Sequence, residues 1–152
     1  TKLTEFNGTN FRKGQSKYLV IEADDYDRSF LNYKPQIAVV LNVDREHLDT
    51  YGDIEGVIDG FHRFLQNLSQ DSKALLNRGD AHTDAIAKDL KCTVEYFNEP
   101  GDLLQWPLQI PGEFNQINTE GAWRAVQLVG VTAAKPAEEV IAADLCVNMI
   151  VP

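Results

Sequence analysis

Two uninterrupted apolar runs, Tyr18-Leu19-Val20-Ile21 and Ile37-Ala38-Val39-Val40-Leu41, each end in a strongly polar segment. A strand with one wet face alternates apolar and polar residues. A run without alternation marks a strand covered on both faces, as in a parallel sheet. Between 53 and 68 the period changes. Ile54, Val57, Ile58, Phe61, Phe64, Leu65 and Leu68 recur at three- and four-residue steps, forming one apolar helical stripe with Asp53 placed to cap its start. Residues 73–77 and 92–97 read as two further strands flanking a helix over 81–90, with Asp80 as its cap. Residues 98–112, rich in Pro and Gly, form a loop or short hairpin, and helices are predicted over 116–129 and 136–145, the second opened by Pro136. The first seventeen residues are polar and turn-rich, and no internal repeat is visible. Strand and helix alternate, so the expected class is α/β, a mostly parallel sheet with flanking helices.

Composition narrows the partners. With 23 acidic and 14 basic residues the formal net charge is -9, which argues against nucleic acid or an anionic membrane surface. Phosphates stay within reach of an acidic chain through backbone amides, a few local cations or bound metal. Cys92 and Cys146 fit neither a disulfide framework nor a metal-ligand spacing and read as inert thiols of a reducing compartment. No signal peptide and no apolar run long enough to span a bilayer is present, so the expected location is cytoplasmic.

In an open α/β sheet, ligands bind beyond the carboxyl ends of the strands. The first strand runs into Glu22-Ala23-Asp24-Asp25-Tyr26-Asp27 and the second into Asn42-Val43-Asp44-Arg45-Glu46-His47-Leu48-Asp49. Glu22 and His47 therefore lie just past two strands expected to be neighbours, and both can ligate a divalent cation. On spacing alone a solvated acidic loop and an ordinary hydrogen-bonding histidine explain the same residues. Carboxylates suit magnesium, whereas imidazole suits zinc or manganese better.

Residues 18–31, YLVIEADDYDRSFL, resemble the Mur ligase stretch written as an apolar strand followed by E-A-D-E-S-D-x-S-F-L. Residues 41–52, LNVDREHLDTYG, are similar to that family's T-N-x-x-x-D-H-L-D-x-Y-G, and 111–118, PGEFNQIN, to its P-G-x-H-N-x-x-N. Three ordered motifs cover most of the chain between Tyr18 and about Gly130. The resemblance implies the P-loop-NTPase-like central domain of a Mur ligase, with ATP and Mg2+ as cofactors. It assigns Glu22 to a magnesium ion near the ATP phosphates and His47 to a second metal near the acyl phosphate. Asn115 and Asn118 match the asparagines on the adenine side. Asp24 and Asp49 are read as capping or holding the loops.

Some positions depart from the pattern. Asp25 and Tyr26 replace the usual glutamate and serine, and Phe114 stands where many relatives have histidine. Relatives that add the later amino acids carry a lysine, carbamylated in use, fourteen residues after the metal-binding histidine. Here that position is Phe61, within the apolar stripe. Together with Asp49-Thr50-Tyr51-Gly52, Phe61 implies the member that joins L-alanine to UDP-N-acetylmuramate in peptidoglycan precursor synthesis, with those two molecules as partners of the complete enzyme. The 152 residues contain no G-x-x-G-K-[ST]. In the family that loop, and the strand before it, lie upstream, and a UDP-sugar domain and a C-terminal domain flank the central one. Residues 1–152 are therefore expected to be a partial central domain, inactive alone, that self-associates or pairs with the missing segments. The alternatives are a non-catalytic Mur-like binding module and a folylpolyglutamate synthase-like ligase.

Overall fold

The computed structural model describes residues 11, 13–101, 105–108 and 111–130, together with the backbone of 149–151. Five strands form one sheet: β1 (Leu19–Ile21), β2 (Ile37–Val40), β3 (Lys73–Asn77), β4 (Thr93–Phe97) and β5 (Met149–Val151). Their spatial order is β1-β5-β2-β3-β4. β2, β3 and β4 are parallel, with Ile37 opposite Lys73 and Lys73 opposite Thr93. β5 runs antiparallel to both β1 and β2, so those two share a direction and their carboxyl ends lie at one sheet edge. They are not neighbours, as the sequence reading expected, because β5 separates them.

The parallel half has the two covered faces that its unbroken apolar runs require. Ala38, Val40, Ala74 and Leu76 pack with Val57, Phe64, Leu65 and Ile86 on one side. Ile37, Val39, Leu41, Leu75 and Phe97 pack with Ala125 on the other. The first face is covered by α2 (Ile54–Gln66), whose Asp53 caps the helix by accepting the Gly56 N–H at 2.9 Å. The second is covered by α4 (Glu113–Leu128), where Gly121 permits close approach: a Cβ there would stand 2.9 Å from Leu41 Cδ2 and 3.0 Å from Phe97 Cζ.

Three expectations need correction. β1 was expected to be buried on both faces, yet Leu19 and Val20 are 46% and 55% exposed. Among the described residues it is an end strand of the sheet. The helix expected over 81–90 is a single turn, α3 (Thr83–Ile86), ending before Asp89, whose φ is 52°. Asp80 is not its cap, since the preceding residue is His82 and makes no side-chain capping bond. Two short elements lack a periodic signature and were not foreseen: a kinked 3-10 segment at Tyr26–Asn32 and α1 (Leu48–Tyr51). The helix expected over 136–145 lies outside the described residues.

Candidate functional site

The segments leaving β1 and β2 border a cleft of about 230 Å3 at the carboxyl edge of the sheet. Its polar lining includes Asp25, Asn42, Asp44, Glu46 and Asn118, and its apolar wall includes Phe30, Phe61 and Phe64. In this wall Phe30 stacks on Phe64 and meets Phe61 edge-on. The Phe30 ring lies 5.0 Å from Phe64 and 5.3 Å from Phe61. Phe61 thus serves the core and lines the cleft at the same time.

Tertiary contacts hold the segment after β1. Phe30 is 1% exposed, Ser29 Oγ donates to Asp24 O at 2.7 Å, and Asn67 Nδ2 donates to Leu31 O at 3.2 Å. Tyr51 holds the backbone beside the cleft by donating its hydroxyl to Asp25 O at 2.6 Å. Its ring needs the bare backbone of Gly60, where a Cβ would stand 2.7 Å from Tyr51 Cε1. Burial, with the nearby Asp25 charge adding to it, pushes the Tyr51 phenol up to about 12, so it stays a neutral donor. Arg28 lies 5.2 Å from the same ring centre.

His47 sits at the start of α1 in a left-handed conformation, φ 51° and ψ 41°. Its Nε2 lies 3.5 Å from Asp25 Oδ1, and its ring meets Tyr26 edge-on at 5.2 Å. The partner drawn to His47 is therefore Asp25. Glu22 follows β1 at the same sheet edge, exposed and outside the cleft lining. Asn118 reaches the cleft from α4, whereas Asn115 is turned to the helix start, its Nδ2 donating to Pro111 O at 3.1 Å. The cleft residues that sequence reasoning did not single out, Asp25, Asp44 and Glu46, belong to the two segments it did. Their direction depends on how those segments bend.

No lysine or arginine lines the cleft among the described residues, so a bound polyphosphate would need its charge met by something else. The donor chemistry fits a hard divalent cation. Among the described residues no three His, Cys, Asp or Glu side chains come together as a metal-binding group, but magnesium commonly takes one or two carboxylates and completes its shell with water and phosphate oxygens.

The model of the Mur ligase middle domain matches residues 5–102. The chain belongs to this family. It is 43% identical over 91 residues to a UDP-N-acetylmuramate--L-alanine ligase of Caldicellulosiruptor saccharolyticus, covering 60% of this chain and 20% of that protein. The like-named protein of Clostridium botulinum (strain Alaska E43 / Type E3) is 34% identical over 136 residues, 73% of this chain and 30% of the relative. The chain thus spans between a fifth and a third of the length of these curated relatives. Among solved structures, the fold is similar to that of UDP-N-acetylmuramate:L-alanyl-gamma-D-glutamyl-meso-diaminopimelate ligase from Neisseria meningitides. That match has a TM-score of 0.62 at 21% identity, over 72% of this chain and 42% of that one. MurF from Acinetobacter baumannii gives a TM-score of 0.54 at 20% identity, over 76% and 30% of the two chains. No helix among the described residues is long and apolar enough to cross a membrane.

Proposed function

We propose that this Mur ligase middle-domain segment belongs to an ATP-dependent carboxylate–amine ligase that joins L-alanine to UDP-N-acetylmuramate through an acyl phosphate. The observation that carries this reading is the cleft itself. The segments after β1 and β2 and Asn118 of α4 face one space at the sheet edge where α/β folds bind ligands. In this reading Glu22 would hold a magnesium ion and His47 a second divalent metal, Asn118 and Asn115 would meet the adenine side of ATP, and the complete enzyme works in the cytoplasm. A bound cation would neutralise the carboxylate and phosphate charges that must approach each other. The chain's own residues contribute placement. Asp25 and Tyr26 orient the His47 ring, Tyr51 fixes Asp25, and the Phe30–Phe61–Phe64 wall keeps one side of the cleft dry.

Phe61 supports alanine as the amino acid added, because an apolar ring leaves no amine there to be carbamylated.

Two measurements test the reading. In the complete ligase, phosphate release should require both UDP-N-acetylmuramate and L-alanine; release that ignores either substrate would sink it. The 152-residue chain alone should neither hydrolyse ATP nor bind it at micromolar concentration with magnesium present, because polyphosphate affinity comes largely from a phosphate loop at a helix N-terminus. Calorimetry showing micromolar binding by a stable monomer would mean that the nucleotide site is built in another way.

A further inference from the structure

The carboxylate of Asp80 joins two stretches of backbone that are distant in sequence. Its Oδ1 accepts the His82 N–H at 2.8 Å, within its own turn, and its Oδ2 accepts the Val43 N–H at 3.0 Å, across 37 positions of chain. Asn77, the last residue of β3 and 6% exposed, makes the matching connection two residues earlier by donating Nδ2 to Leu41 O at 2.7 Å. Its own Oδ1 accepts from Gly79 N at 2.9 Å and from Asn98 Nδ2 at 2.8 Å, so the ends of β2, β3 and β4 are sewn together. The network has no room for another side chain: a Cβ on Gly79 would stand 2.6 Å from Asn98 Nδ2.

Leu41 and Val43 flank Asn42, a cleft-lining residue just past the end of β2. The same stretch continues through Asp44 and Glu46 to the left-handed His47. A non-glycine residue holds that conformation only where its surroundings fix it. The local turn at residues 80–82 needs only one oxygen of Asp80 and would leave the other to water. Here both are used, and the second is used on the cleft loop.

We propose that Asp80, backed by Asn77, is a positioning residue of the cleft. It fixes the path of residues 42–47 and thereby the directions of Asp44, Glu46 and His47, while touching no bound molecule itself. Its catalytic significance rests on the ligase reading, but the clamp can be measured without substrate. Asparagine at 80 offers one acceptor where the carboxylate offers two, and alanine offers none.

The test uses the isotopically labelled 152-residue chain and compares amide hydrogen exchange and the His47 Cα and Cβ chemical shifts, which report its backbone angle, between the wild type and Asp80→Ala. Leu128→Ala, on the opposite face of the sheet, serves as a control for general loss of stability. Asp80→Ala should raise exchange at Val43 by about tenfold relative to Leu75 and Leu76 and move the His47 shifts away from left-handed values. Leu128→Ala should do neither. If Asp80→Ala does not fold, Asp80→Asn carries the test, and either Val43 or His82 should then exchange faster. Uniform acceleration at all amides, with His47 shifts unchanged as in the Leu128 control, would overturn the clamp. Inactivity of the complete ligase would instead count against the proposed reaction, so the two failures are read in different experiments.

Discussion

β2 and β3 pair in parallel over four successive residues and are covered on both faces, whereas β1 meets β5 over three residues and leaves Leu19 and Val20 largely in solvent. The cleft lies where these two regions meet, yet both of its walls depend on the first. The loop after β2 is held by Asn77 and Asp80 of the parallel half. The loop after β1 takes its position from Phe30 in the core and from Tyr51 beside α2, rather than from β1. A weakly embedded strand can therefore feed a well-placed loop. Stability and site geometry are thus separable on the β1 side and coupled on the β2 side.

That contrast is tested most strongly by truncating one buried residue in the parallel half. Leu76 is fully buried in β3, and Leu76→Ala should cost about 2–5 kcal/mol, from lost burial and the cavity left behind. Denaturant unfolding gives the value directly. A loss below about 1 kcal/mol would mean that the parallel half is not the stable part of the molecule.

The parallel half was readable in the sequence for the reason that makes it stable. Unbroken apolar runs predict two covered faces, and the three- and four-residue spacing from Ile54 to Leu68 predicts α2, with Asp53 capping it as expected. The run at Tyr18–Ile21 has the same local pattern but little covers it, and nothing within the run reveals that. The turns at 26–32 and 48–51 were not legible because distant partners set their shape: Phe30 packing on α2 and the Tyr51 hydroxyl reaching Asp25. The strand-end rule located both cleft segments. It could not show that Asp25, Asp44 and Glu46 line the space, nor that Asp80 reaches 37 residues back to Val43.

A functional substitution on the β1 side should separate activity from folding. Glu22 is exposed in the loop after β1, so Glu22→Ala in the complete ligase should lower kcat by about a hundredfold while leaving the unfolding midpoint nearly unchanged. Normal turnover would remove Glu22 from the site. A large fall in the midpoint would show that the β1 side carries more of the fold than its exposure implies.

Tyr51 sharpens the comparison through pH. Its phenol titrates near 10 when unfolded and near 12 when folded, because burial and the neighbouring Asp25 charge favour the neutral form. The stabilisation is therefore complete below pH 10 and is lost as pH rises through 12, amounting to at most about 2–3 kcal/mol. Chemical denaturation from pH 9 to 12 should show a steeper alkaline loss in the wild type than in Tyr51→Phe. Parallel curves for the two proteins would mean that the hydroxyl is not held at the Asp25 carbonyl.

The smallest expected change in stability lies at Val20, and it carries the other half of the comparison. The side chain is 55% exposed in an edge strand, so exchanging it for a charged one removes little buried area, and Val20→Lys should alter folding free energy by no more than about 0.5 kcal/mol. Its effect should appear in association. Among the described residues β1 ends the sheet with Leu19 and Val20 exposed, and a lysine on such an edge resists pairing with another chain because its ammonium would lose water. Light scattering over a concentration series should show wild-type chains associating and Val20→Lys chains doing so less, at matched stability. Equal association in both would place the contact elsewhere. Weaker association accompanied by a marked loss of stability would instead show that β1 is held in the fold as firmly as β2 and β3.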